Sequence, residues 1–157
     1  MTVANPRYQD LRWDADENRW SAAKAIIGDR RVTLGPQASQ QWLEAPEHLA
    51  FVLARYRAAA ALIGDARTVL ELGCGEGIGA GILARDRRRY CGVDNDADAI
   101  RIARERRTDV ISFAELSGFD DQWRPTTAYD AVVSLDVIEH IPAEREHDFL
   151  ENAVAVL

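Results

Sequence analysis

The stretch Thr68 to Leu83, TVLELGCGEGIGAGIL, constrains this chain more than any other. Val69 to Leu72 reads as a short apolar strand. Gly73-Cys74-Gly75-Glu76-Gly77 reads as a glycine-dense turn, and Ile78, Ile82 and Leu83 open a helical pattern. A strand that feeds a glycine turn at a helix start is a nucleotide-binding device. Glycine lets backbone approach a ligand closely, and the helix start offers free N–H groups.

The stretch resembles motif I of the class I S-adenosylmethionine (SAM) dependent methyltransferases, an apolar run followed by E/D-x-G-x-G-x-G. Glu71, Gly73, Gly75 and Gly77 fit that spacing without a gap. An acid at the strand end would repel a pyrophosphate, whereas the ammonium and sulfonium of SAM are cationic. The resemblance makes Glu71, Gly73, Cys74 and Gly75 expected cofactor-binding residues. Gly75-x-Gly77-x-x-Ala80 also satisfies the dinucleotide pattern, so an NAD-linked oxidoreductase is a rival reading. A glycine turn without a ligand is the plainest alternative.

A length of 157 residues implies a single domain with a real core. The net charge of −7 argues against nucleic acid as a main partner, because phosphate binding needs a basic footprint. Arg85, Arg87, Arg88 and Arg89, and again Arg101, Arg104, Arg106 and Arg107, read as solvated helix ends and faces. Neither a signal peptide nor a run of membrane-spanning length is visible. Two cysteines, Cys74 and Cys91, show no metal or redox spacing, which fits a reduced, cytoplasmic chain.

Residues 1–38 read as a polar arm. Tyr8, Trp13 and Trp20 are its large anchors, Ser21 to Ile27 is a possible short helix, and Arg31 to Pro36 is an extended piece ending in a turn. Residues 39–157 read as the binding domain. A helix is expected from Ser39 to Ile63, with Leu49, Leu53, Tyr56, Ala60 and Ile63 on one face. It resembles the helix that precedes motif I in the family. Trp42, His48 and Arg55 are candidates for the pocket wall, and the Arg55 guanidinium suits the SAM carboxylate.

Beyond the glycine turn the pattern alternates. Helix Gly77 to Arg85, strand Tyr90 to Val93, helix Asp96 to Arg107, strand Val110 to Phe113, a polar connection Glu115 to Thr127, strand Tyr129 to Leu135 and helix Pro142 to Leu157 are expected. That is an α/β, Rossmann-like parallel sheet with helices on both faces and about four strands. Ligands of such sheets bind beyond the strand C-terminal ends at the switch point.

Asp94, 21 positions after Gly73, ends the second strand where a carboxylate can accept ribose hydroxyls, and Asn95 would line the adenine side. Asp96 suits the N-cap of the next helix. Glu115 matches an acid that in family members often accepts from the adenine amino group. The fourth strand, YDAVVSLDVIEHIP, resembles the motif IV region of small-molecule methyltransferases of the ubiquinone-biosynthesis type. That resemblance puts the backbone of Ser134 and Leu135 against SAM and Asp136 to His140 on the acceptor side. Asp136 and His140 are thus the expected catalytic residues. His140 would serve as general base for a hydroxyl acceptor, unless it only caps the strand–helix junction. Some relatives hold a divalent cation with Glu-x-x-Glu-His here. Asp136, Glu139 and His140 are a thin version of that set, and no metal is expected.

The resemblance implies a SAM-dependent methyltransferase acting on a small molecule, at oxygen, with neither nucleic acid nor membrane as partner. A SAM-binding module without transfer activity is the alternative. The family sheet has seven strands and this pattern supplies four. The sequence is therefore expected to be a piece of a longer enzyme, or else a second copy covers the open edge in a homodimer.

Overall fold

The computed structural model describes residues 33–116 and 128–157, all within the compact unit Thr33–Leu157. Residues 1–32 of the expected polar arm 1–38 and most of the connection Glu115 to Thr127 lie outside the described residues, while residues 33–38 belong to the compact unit, where Pro36 opens a helix.

The frame is a four-stranded, wholly parallel sheet. Its strands are β1 (Thr68–Leu72), β2 (Arg89–Asp94), β3 (Ile111–Glu115) and β4 (Ala131–Ser134), in the order β3-β2-β1-β4. The chain steps outward from β1 to β3, then crosses back to place β4 on the other side of β1. The direction of winding reverses between β1 and β4, and a crevice opens above their C-terminal ends.

β1 is buried along nearly its whole length because helices cover both faces of the sheet. Its side chains alternate. Val69 and Glu71 point to one face, with Tyr90, Phe113 and Val133; Leu70 and Leu72 point to the other, with Val93, Phe149 and Val156. The Tyr90 and Phe113 rings meet edge to face, with centroids 5.7 Å apart.

The expected helix Ser39 to Ile63 is two helices, α1 (Pro36–Glu44) and α2 (Pro46–Leu62). Ala45 breaks them at φ −151° and ψ 68°, since a residue before proline is pushed out of helical space. Pro36 opens α1 at its first position instead of closing a turn. On α2 the buried residues are Leu49 and Tyr56, with Val52, Ala59, Ala60 and Ile63 packed against the core.

α3 (Ala80–Leu83) is much shorter than expected. Gly77 is at φ +72°, so the helix cannot start there, and Asp86 and Arg87 are left-handed in the 3-10 turn that follows. Arg88 then clamps three chain ends. Its guanidinium donates to the carbonyls of Ala66 (2.7 Å), Leu83 (3.0 Å) and Gly64 (2.6 Å). This arginine is structural, contrary to the expectation that it is solvated together with Arg85, Arg87 and Arg89.

α4 (Ala97–Ala103) starts as read. The Asp96 carboxylate accepts from the N–H groups of Asp98 (2.9 Å) and Ala99 (3.1 Å). α5 (Glu146–Val154) closes the described chain after 3-10 turns at Ile138–His140 and Ala143–Arg145. Asp130 pins the start of β4 to β1, accepting from the N–H groups of Arg67 and Thr68, both at 2.8 Å. Among the described residues β4 pairs only with β1, and no helix is long and apolar enough to cross a membrane.

Gly77 fixes how the turn seats on the sheet. A Cβ there would stand 2.8 Å from the Phe113 ring and 3.1 Å from Ala103, in a left-handed conformation that disfavours side chains. Gly77→Ala is expected to lower the unfolding free energy by about 2 kcal/mol or more. Urea denaturation checks this, and an unchanged midpoint would show that the turn tolerates a methyl group.

Candidate active site

A cleft of about 660 Å³ opens above the C-terminal ends of β1, β2 and β4. That volume suits a cofactor-sized ligand. Its floor is the glycine turn. The N–H groups of Gly73 and Cys74 both donate to the Val93 carbonyl, at 2.9 and 3.0 Å, which ties the turn to β2. Gly73, Gly75 and Gly77 all have positive φ. A Cβ on Gly73 would strike Val137 at 2.2 Å, whereas one on Gly75 would meet nothing nearer than Gln37 at 3.9 Å. Gly75 is therefore the place where backbone lies open to a ligand.

Asp94 sits beside it. One carboxylate oxygen accepts from the Gly75 N–H at 2.7 Å and the other from the Asp96 N–H at 2.9 Å. Each oxygen keeps a free lone pair for a hydroxyl donor.

A second acid holds the cleft wall. Glu76 is buried, and its oxygens accept from the N–H groups of Gln37 (2.8 Å) and Ala38 (3.1 Å), the open first turn of α1. Glu76 thus caps a helix 39 residues upstream and docks α1 on the glycine turn. Gly35 must stay bare, because a Cβ would lie 2.1 Å from that carboxyl group. The sequence signal was a Gly-Pro helix start without a local capping side chain.

Glu71 lies elsewhere than its motif position suggests. It has no exposed surface and is not among the residues that line the cleft. The Tyr56 hydroxyl donates to one oxygen at 2.7 Å, and the Tyr90 hydroxyl donates to the other. Burial raises its pKa to about 7, although both phenols pull it down; the nearby Asp94 adds to the rise. Burial, with the Glu71 charge second, also raises both tyrosine hydroxyls and the Cys74 thiol. Cys74 lines the cleft as a neutral thiol.

Of the expected site residues, Gly73, Cys74, Gly75, Asp94, Asn95, Leu135, Asp136 and His140 all line the cleft. Glu71 is not among them, and both its oxygens accept from tyrosine hydroxyls. Glu115 lies exposed at the end of β3, beside Asp94 in register, and is not among the residues that line the cleft; Leu116 is.

The rim beyond β4 carries the charged groups. Asp136 is left-handed at φ 56°, and its carboxylate meets the Arg55 guanidinium at 2.5 Å. Both side chains are about half exposed, so the pair positions the rim and adds little stability. His48, Glu139 and His140 complete this rim. Among the described residues no three His, Cys, Asp or Glu side chains gather closely enough to hold a metal ion, the triple at Asp136, Glu139 and His140 included.

Residues 69–157 match the family of the methyltransferase domain. The chain belongs to that family. It is 41% identical over 80 residues to a probable S-adenosylmethionine-dependent methyltransferase of Mycobacterium tuberculosis, covering 48% of this chain and 27% of that protein. It is 34% identical over 80 residues to a ubiquinone biosynthesis O-methyltransferase of Serratia proteamaculans, covering 48% of this chain and 33% of that protein. The matched stretch thus spans about a third or less of these relatives. Among solved structures, a DhpI–SAH complex superposes with a TM-score of 0.55 at 26% identity, covering 77% of this chain and 62% of that one. The N-methyltransferase NodS of Bradyrhizobium japonicum, in complex with S-adenosyl-L-homocysteine, gives 0.55 at 22% identity over 91% of this chain and 63% of that one, and shows the shared fold.

The raised pKa of Glu71 has a defined effect on the stability of the methyltransferase domain. Its folded-state value, about 7, lies above the ordinary 4.5. Its contribution is therefore complete below about pH 4.5 and is lost as pH rises through 7. Glu71→Gln keeps the shape without the charge. Denaturant unfolding from pH 5 to 8 is expected to shift progressively in favour of the glutamine variant, levelling above 7. A constant difference would mean that Glu71 titrates as an exposed acid does.

Proposed function

We propose that this chain binds SAM and transfers its methyl group to a small-molecule acceptor, at an oxygen atom. The observation that carries the reading is the cleft at the winding switch, where Gly75 leaves backbone bare beside an Asp94 carboxylate with free lone pairs. Asp94 would hold the ribose hydroxyls. Asn95 and Leu116 would flank the base. The Arg55 guanidinium would meet the carboxylate of the amino-acid part.

When bound, SAM supplies a methyl group on a sulfonium whose thioether is a ready leaving group. The protein's part is then mainly to place an acceptor in line and to exclude water. A hydroxyl acceptor must lose its proton as it attacks, and His140 on the rim is the group that would take it. Asp136, held by Arg55, would orient that rim. The oxygen assignment is supported by the 34% identity over 80 residues to a ubiquinone biosynthesis O-methyltransferase.

The dinucleotide reading finds less support. Gly77, its second glycine, is buried against Phe113 and Ala103, and its N–H donates to the Cys74 carbonyl at 2.9 Å. It is not among the cleft-lining residues.

Calorimetric titration of the chain with SAM, with NAD in parallel, tests the reading. Saturable SAM binding, weakened at least about tenfold in Asp94→Ala by the loss of charge-assisted hydrogen bonds, is expected. Binding of NAD but not SAM would defeat it.

A further inference from the structure

The Arg55 guanidinium already has an anionic partner while the cleft is empty. Its Nη2 lies 2.5 Å from an Asp136 carboxylate oxygen, and both residues line the cleft. The pair joins α2 to the segment after β4, two walls of the same cleft.

Both ends of this bridge are fixed by backbone. Arg55 precedes Tyr56, whose hydroxyl is bonded to Glu71. Asp136 follows β4, whose last residue, Ser134, is in register with Leu72 of β1. Val137, the next residue, lies so close on the glycine turn that a Cβ on Gly73 would meet its methyl group at 2.2 Å. Between these two anchors Asp136 is left-handed, at φ 56°. A non-glycine residue in that region is uncommon, and its surroundings must hold it there. The bridge itself is soft. The Arg55 and Asp136 side chains are 43% and 50% exposed, and an ion pair so wet contributes little stability. An unusual backbone thus places a contact that adds little to the fold, which points to a task other than stability.

We infer that Asp136 is a built-in competitor for the carboxylate of the cofactor: it occupies Arg55 while the cleft is empty and yields the guanidinium when a ligand carboxylate enters. This rests on the SAM reading given above. The exchange needs only side-chain rotation, because both backbones are anchored. Two carboxylates on one guanidinium repel each other, so the newcomer wins only where the rest of its ligand is held as well, at the glycine turn and Asp94. A small free carboxylate lacks those contacts, and a nucleoside without a carboxylate leaves the bridge shut. Opening releases the Asp136 carboxylate on the rim it shares with Glu139 and His140, so an acceptor meets a different rim before and after the cofactor binds. The coupling is reciprocal: whatever holds Asp136 on the acceptor side favours the cofactor carboxylate on Arg55. In this role Asp136 acts through Arg55 and is a positioning residue.

The test is calorimetric titration of the 157-residue chain with SAM and with decarboxylated SAM, two ligands that differ by the carboxylate. Wild type is compared with Asp136→Asn, Arg55→Met and the double variant. Asparagine tolerates the left-handed backbone and removes the charge. The preference for SAM over its decarboxylated form should rise about twofold to fivefold in Asp136→Asn, the range of an exposed ion pair. With Arg55→Met in place the same substitution should leave the preference unmoved, because the cation competed for is gone. A merely structural role of Asp136 would shift both ligands alike. If Asp136→Asn does not fold, Asp136→Gly, which suits a left-handed turn, is read in its place. An unchanged or lower preference, or an equal rise with Arg55 absent, would overturn the inference while leaving SAM binding intact. Failure of wild type to bind SAM would overturn the functional reading, and this inference with it.

Discussion

Two tyrosine hydroxyls meet on one carboxylate that water does not reach. Tyr56 comes from α2, Tyr90 from β2, and Glu71 from the central strand between the neighbours of both. The rest of the cleft depends on this junction. It fixes how α2 lies over the sheet, and with it where Arg55 and Val52 stand on the cleft wall. It also leaves the Tyr56 ring pressed on Gly79, where a Cβ would lie 2.0 Å away, so the short α3 is held by the same contact. An all-apolar junction would pack these elements too. A hydrogen-bonded acid adds direction, because only one placement of each ring satisfies it.

The cleft is assembled by carboxylates that accept from distant backbone. Glu76 caps α1, Asp94 holds the Gly75 N–H, and Asp130 fastens β4 to β1. Each answers the same problem: strand ends and helix starts leave N–H groups without partners. The glycine turn is where these needs converge. The sequence therefore places two acids, Glu71 and Glu76, among its glycines with opposite duties, one beneath the floor and one toward the wall. The charge of the cleft is consequently set by structural acids as much as by those facing a ligand.

The strands and their order of appearance were legible because parallel, doubly covered strands are short continuous apolar runs, and VLEL, YCGV and AVVS stand out as such. The cleft lining was legible wherever a residue lies at the end of its own strand, as Asp94, Asn95, Leu135 and Asp136 do. It failed where a partner lies far along the chain. Nothing in the spacing tells that Glu71 will be met by tyrosines 15 residues earlier and 19 residues later, or that Glu76 will cap a helix before it. Glu115 is in register with Asp94 yet stays outside the cleft lining, and Leu116, the next residue, is part of it. The break at Ala45 was available from Pro46, and the apolar face Leu49 to Ile63 lies wholly after it.

The account turns on the ionisation of Glu71, and the most direct measurement is its carboxyl carbon shift by NMR across pH. A midpoint near 7 in the free chain is the expected result. An ordinary carboxylate midpoint of about 4.3 in the free chain would show that the acid is solvated or paired with a cation, and would contradict the account.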